Sequence, residues 1–262
     1  MQANLKPRLR IAKDAVLAAG RIIAEKYCSK EFSVSFKEDR SPVTDVDKSI
    51  ESDLRDAILH KFPEDSFIGE EMDDYHGKNG FTWYCDPIDG TWCFINGEKT
   101  FSTSLALAYG QKTVLAIVNN PVTHELYSGA DGLESRLNGM AIPLRHPDDP
   151  SNSVVNFQVA RDRLDKISAL YSMYGHRAIG KLVSTQGSLA YNLALVAGGT
   201  HSSYVVASST DPNMWDIAGG MYLVESSGGK VERFEDRIIV ASASEGCHRK
   251  MIDNLFRYGF IR

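Results

Sequence analysis

Apolar positions recur at three- and four-residue steps at the start of the chain, at two-residue steps further on, and in alternating blocks of both periods towards the end. These periods predict helices first, then strands, then a mixture of the two. Ile11, Ala15, Ala18, Ala19, Ile22 and Ile23 share one face of a helix predicted over residues 8–27. A polar stretch reaching Pro42 breaks it, with Val34 and Phe36 alternating as in a short strand and Lys37 just behind them. Asp47 is placed as the N-cap of a second helix, along which Ile50, Leu54, Ala57 and Ile58 repeat to about Phe62. Ser66-Phe67-Ile68 reads as a short strand ending at Gly69-Glu70-Glu71. Residues 72–80 read as a polar turn, and residues 81–84 as a strand running straight into Asp86.

The two-residue period dominates from Phe101. Segments 101–109, 114–118 and 124–127 predict an antiparallel meander. Region 131–152 is rich in Gly, Pro and Asp, and marks the expected boundary between two halves of one domain, 1–145 and 146–262. Beyond it the pattern predicts a strand at 154–159, a helix over 163–174 and a capped helix at 189–197 behind Gly187-Ser188. A strand at 204–207, a helix starting at Asp216 and ended by Gly228-Gly229, a hairpin over 230–241 and a last helix around 247–258 complete the chain.

Composition narrows the class. Hydrophobic residues make up 43% and charged residues 24%, as in an ordinary globular protein. A formal charge of −5 gives no reason to expect nucleic acid or an anionic membrane as partner. No apolar run reaches the ~18 residues of a membrane span. Lys13, Asp14, Arg21 and Glu25 interrupt the first amphipathic stretch, which no signal-peptide core would carry. Cys28, Cys85, Cys93 and Cys247 lack the spacing of a metal or redox motif, so reduced thiols in a cytoplasmic protein are expected.

The chemistry concentrates in Cys85-Asp86-Pro87-Ile88-Asp89-Gly90-Thr91. Pro87 fixes its own φ and disfavours helix at Asp86, while Gly90 allows a sharp turn. Such a turn could aim two carboxylates at one point and offer the amides of Gly90 and Thr91 to an anion. Taken alone, the stretch fits a surface turn as well as a hard-cation site. Asp47, Glu70, Asp86, Asp89 and Asp216 all fall at predicted element ends, where ligand sites of α/β sheets lie. Carboxylates gathered together stay ionised only if a cation neutralises them, so a cluster predicts Mg²⁺ or a similar ion. Two or more such ions suit phosphoryl transfer, with Thr91 placed to hold an attacking water. The chain has no P-loop, no G-x-G-x-x-G behind a strand, no G-x-S-x-G and no H-E-x-x-H. The Asp-x-Asp-Gly-Thr of haloacid-dehalogenase-type phosphatases is approached but not met, since one extra residue separates the two acids.

With these motifs in place, the chain resembles the inositol monophosphatase family of Mg²⁺-dependent, lithium-sensitive phosphatases. Trp83, Asp86 to Thr91 and Phe94 match its first signature, and Trp215-Asp216-Ile217-Ala218-Gly219 with Glu225 and Gly228-Gly229 its second. Val43-Thr44 with Asp47, and Ile68-Gly69-Glu70-Glu71, fit in order. The resemblance implies a mixed α/β fold, a layered αβαβα sandwich of the inositol monophosphatase and fructose-1,6-bisphosphatase type, and a homodimer acting on a small phosphorylated metabolite. It also implies roles. Glu70, Asp86 and the Ile88 (or Pro87) carbonyl would hold a first Mg²⁺, and Asp86, Asp89 and Asp216 a second, with Glu70 sharing a third. Thr91 and Asp47 would orient the water, amides at Gly90 and Thr91 would cradle phosphate, and Gly187 and Ser188 would start the substrate-side helix. Inositol 1-phosphate is the first substrate implied, with histidinol phosphate and adenosine 3′,5′-bisphosphate as alternatives. Residues 205–214 depart from inositol-specific members: they hold no Glu, and Asp211 is their only acid. A catalytically silent binding or assembly member is the alternative of another class. It predicts loss of a metal ligand, and none is lost.

Overall fold

The computed structural model describes residues 5–142 and 148–261. The chain forms two compact units, and each is mixed α/β. The first comprises 1–141 together with 187–191 and 214–223; the second comprises 142–186, 192–213 and 224–262. The sequence-based boundary at 145/146 lies outside the described residues. Two segments from the second half of the sequence belong to the first unit, and one of them carries Asp216.

The first unit begins with α1 (Leu5–Ser29), a hairpin of β1 (Val34–Phe36) and β2 (Pro42–Thr44), and α2 (Asp45–Leu59). Strands β3 (Ser66–Gly69) and β4 (Phe81–Asp89) come next along the chain, followed by the short helix α3 (Thr91–Asn96). The meander β5 (Ser102–Tyr109), β6 (Lys112–Asn120), β7 (Glu125–Ala130), β8 (Leu133–Leu137) and β9 (Met140–Ala141) follows. The seven strands lie in sequence order; only the β3–β4 pair is parallel. The polar region after residue 130 therefore does not end the meander, as its composition suggested, but extends it by two strands.

Side-chain alternation sets the two faces of this sheet. Phe81, Trp83 and Cys85 of β4, with Leu105 and Leu107 of β5, pack against Ala12, Val16, Ala19 and Ile23 of α1 and Ile50, Leu54 and Ile58 of α2. Asp86 and its partner Ser104 consequently face the other side. That side receives the helix carrying Asp216: a Cβ added at Gly219 would lie 3.2 Å from Ser104 Oγ and 3.5 Å from Val118 Cγ2. The small residues of the Ala218-Gly219-Gly220 run permit this approach, and Asp216 lies one turn before the contact.

The second unit holds β10 (Val154–Val159), α4 (Ile167–Gly175), β11 (Lys181–Val183), α5 (Leu189–Ala197, whose first turn belongs to the first unit), β12 (Ser203–Ala207) and α6 (Met214–Ser226, most of which belongs to the first unit). It closes with β13 (Lys230–Phe234), β14 (Ile238–Ser242) and α7 (Glu245–Arg257). Its sheet runs β11-β10-β12-β14-β13, with the first three strands parallel. Phe157, Val205 and Val240 pack with Leu170 and Met173 of α4 and Met251 and Leu255 of α7. The segment expected to be helical from 163 is 3₁₀ over Arg161–Lys166 before α4 begins. No described helix is long and apolar enough to cross a membrane, and none of the four cysteines forms a disulfide.

Candidate metal centre

The Asp86–Asp89 stretch is strand rather than the turn expected from Asp-Pro and Asp-Gly. Asp86 pairs with Ser104 and Asp89 with Ser102, so three steps on β4 face two on β5. The extra residue makes a β-bulge, which re-aims side chains near a strand end. Pro87, unable to donate to the ladder, is tolerated there, and its carbonyl accepts the Thr103 hydroxyl at 2.9 Å. The sharp turn comes one residue later. Gly90 has φ +89°, and a Cβ on it would lie 2.8 Å from the Ser188 amide.

This bulge and the first turn of α6 bring Asp86, Asp89 and Asp216 together, with one ligand oxygen of each within 4.8 Å of the others. Asp86 is 2% exposed and its Oδ1 has no hydrogen-bond partner among the described residues. Burial pushes the Asp86 carboxyl well up, and the charges of Glu70, Asp89, Asp216 and Asp47 push it further. Asp89 is raised to about 8, by burial first and then by Asp216, against hydrogen bonds that favour its charged form. Those bonds come from Ser188 Oγ at 2.6 Å and the Ala190 amide at 2.9 Å, both at the start of α5. A buried carboxylate oxygen left unpartnered beside two more carboxylates is costly unless a cation sits among them. An all-oxygen, acid-rich set suits a hard cation such as Mg²⁺.

Glu70 is not one of these three. Its carboxylate accepts from Lys37 Nζ at 2.7 Å, and Glu71 accepts from the same ammonium at 2.7 Å. Burial alone would lower the Lys37 ammonium, but the hydrogen bonds and charges of Glu70 and Glu71 outweigh it and raise it. Lys37 follows β1, so the hairpin delivers a counter-charge to the acids at the end of β3.

Asp47 is not the N-cap of α2 but its third residue. Thr44 is the N-cap, and the pair forms a reciprocal capping box. Asp47 Oδ2 accepts from the Thr44 amide at 2.8 Å and from the Thr44 hydroxyl. Its other oxygen faces Thr91 Oγ1 at 3.4 Å, and Thr91 also reaches the Ile88 carbonyl at 3.1 Å. Burial raises Asp47 to about 6 despite the Thr44 bonds, with Glu71 and Glu70 adding to the rise.

Gly187 has φ +118°, and a Cβ there would lie 2.2 Å from the Thr100 carbonyl oxygen. Ser188 is wholly buried: beyond its bond to Asp89, its hydroxyl lies 2.9 Å from Ser102 Oγ and accepts the Tyr191 amide at 2.8 Å. Ser188 therefore reaches the centre through Asp89, while Gly187 packs against Thr100.

Two participants were not foreseen from the sequence. Lys37 gave no signal beyond its place after an alternating pair. Glu51 lies four residues after Asp47, a spacing that puts two acids on one helix face, but it was not singled out from the sequence. In the structure Glu51 is fully buried and raised to about 7, chiefly by that burial, against hydrogen bonds from two backbone amides.

The sequence profile of the inositol monophosphatase family matches residues 4–253. A histidinol-phosphatase of Chlorobaculum parvum is 32% identical, covering 86% of this chain and 85% of its own. A fructose-1,6-bisphosphatase/inositol-1-monophosphatase of Aquifex aeolicus is 30% identical, covering 86% and 85%. Among solved structures, an inositol monophosphatase of Thermotoga maritima superposes with a TM-score of 0.83 at 23% identity, covering 97% of this chain and 98% of that one.

Proposed function

The chain belongs to the inositol monophosphatase family, whose members are phosphoric monoester hydrolases, and from that premise we propose that it is a Mg²⁺-dependent phosphatase of a small metabolite phosphate. The observation that carries this is the convergence of Asp86, Asp89 and Asp216, with a buried Asp86 oxygen that has no hydrogen-bond partner among the described residues. In this reading Asp86, Glu70 and the Ile88 carbonyl would hold one Mg²⁺, Asp86, Asp89 and Asp216 would hold a second, and Glu70 would help with a third. Bound Mg²⁺ supplies Lewis acidity, which lowers the pKa of water and offsets charge on the phosphoryl oxygens. Thr91 and Asp47 orient the attacking water: the Thr91 hydroxyl donates to Asp47, which leaves its lone pairs for a water proton. Amides of Gly90 and Thr91, where α3 begins, hold phosphate oxygens. Water then displaces the alcohol directly, without a phospho-enzyme. The same reading takes the enzyme to be a cytoplasmic homodimer, with Li⁺ competing for the second position.

Inositol 1-phosphate is the first substrate to test. The absence of any Glu between Val205 and Met214 favours a second reading, histidinol phosphate, which the Chlorobaculum relative's name also supports. Phosphate release should be measured with and without Mg²⁺ from inositol 1-phosphate, histidinol phosphate, adenosine 3′,5′-bisphosphate and fructose 1,6-bisphosphate. One compound turned over far ahead of the rest names the substrate. The substitution Asp86→Asn should leave the fold intact and cut turnover beyond the ~10–100-fold that losing an outer-sphere partner costs. Retained turnover would discard the assigned centre. No Mg²⁺-dependent release from any of the four esters would favour a catalytically silent role.

A further inference from the structure

Glu70 is held by its backbone from both sides. Its own amide donates to the Cys85 carbonyl at 3.2 Å, one residue before Asp86. The next two amides, of Glu71 and Met72, donate to Glu51 Oε2 and Oε1 at 2.8 and 2.9 Å. Glu51 projects from the middle of α2, is fully buried, and is closed in by Gly69, where an added Cβ would lie 2.2 Å from Oε1 and 2.6 Å from Oε2. Two adjacent N–H groups aimed at one buried side chain need two acceptors without a donor. Among the neutral and acidic side chains, only a carboxylate offers that.

We propose that Glu51 is a positioning residue for the metal centre: it fixes the 69–72 loop through the Glu71 and Met72 amides and thereby sets where the Glu70 carboxylate points. This goes beyond the function proposed above but rests on its assignment of Glu70 as a ligand. Asp47 and Glu51 stand one turn apart on α2, so one rigid helix orients Thr91 with the first acid and Glu70 with the second. Gly69 belongs to the same device, because any side chain there would push the Glu51 carboxylate off the two amides.

The test is Glu51→Gln, which keeps the size of the side chain but sets an NH₂ against one of the two N–H donors. Mn²⁺ binding is titrated by electron paramagnetic resonance, and Mg²⁺ dependence is followed with the best ester of the panel. Loss of an outer partner of a metal ligand weakens metal binding or activity by ~10–100-fold. The expected result is a loss of that size in Mn²⁺ affinity, a matching rise in the Mg²⁺ needed for half-activation, and a substrate KM unchanged at saturating metal. Excess Mg²⁺ should recover kcat, which a general packing defect would not allow. A folded Glu51→Gln protein with unchanged Mn²⁺ affinity overturns the proposal. If that variant does not fold, amide exchange of the metal-free wild-type protein decides: strong protection at Glu71 and Met72 is expected, and exchange at the unstructured rate refutes the clamp. Glu70→Gln separates the two readings. If it leaves Mn²⁺ binding intact, the assignment of Glu70 as ligand fails; if it weakens binding while Glu51→Gln does not, only the positioning role fails.

Discussion

Asp89 accepts the Ser188 hydroxyl and the Ala190 amide on one oxygen, while burial and Asp216 oppose its ionisation. Ser188 therefore acts on the centre by holding Asp89 in its charged form. Ser188→Ala removes a hydrogen bond to a charged group, so the Mg²⁺-loaded protein should lose ~1.5–3 kcal/mol of stability in urea titrations. Without that bond Asp89 rises further, and the acid limb of the Mg²⁺-dependent pH–rate profile should move to higher pH. An unmoved limb would mean that Asp89 does not depend on Ser188. At this scale the acids of the centre were legible because Asp86, Asp89 and Asp216 sit in dense short motifs. The bonds that orient them were not: Ser188 was expected at the start of the substrate-side helix rather than on Asp89, and Glu51 was not singled out. Ser188 and Glu51 lie 99 residues from Asp89 and 20 from Glu71, and no local period reports a hydrogen bond over such a separation.

Elements were read well where one period ran undisturbed. The 154–159 strand and the 189–197 helix have the expected bounds, because each is an apolar run closed by polar or small residues. Reading failed where two signals competed. α3 is six residues long between Gly90 and Gly97, too short to show a period, and β8 alternates around charged side chains that resemble a loop. The start of α2 shows the same competition: Asp45, Asp47 and Thr44 are all good cap residues, and the reciprocal box decides for Thr44. This cap also carries function, since Thr44 donates twice to the carboxylate that faces Thr91. Thr44→Ala should cost ~1 kcal/mol of metal-free stability, as loss of a side-chain cap does. It should also raise Asp47 further above its present value of about 6, since the Thr44 bonds favour its charge. Urea unfolding with ¹³C-detected titration of Asp47 checks both; an unchanged Asp47 midpoint would mean the box is a cap and nothing more.

Over the whole molecule, sequence halves and compact units do not coincide, because the chain sends 187–191 and 214–223 back to the first unit. The motif around Asp216 pointed to this return, since a metal centre needs its ligands in one place whatever their order in the chain. The same convergence makes stability depend on pH. In the metal-free protein Asp47 stands at about 6, Glu51 at about 7 and Asp89 at about 8, all raised, with burial the largest cause in each. For a carboxyl raised on folding, the native state binds the proton more tightly than the unfolded chain does. Its contribution is complete below the unfolded value of ~4 and is lost as pH rises through the folded value. These three groups therefore weaken the metal-free fold between about pH 4 and about pH 8. Mg²⁺ binds the ionised form of Asp89 and its fellow ligands and must displace their protons, and its positive charge favours ionisation of Asp47 and Glu51 beside them, so its stabilisation grows over the same window. Thermal unfolding with and without saturating Mg²⁺ should show a rise in Tm on metal addition that is small near about pH 5 and several-fold larger near about pH 8. A rise of equal size at both ends would mean that the acids are already ionised in the metal-free fold and that burial does not hold their protons on.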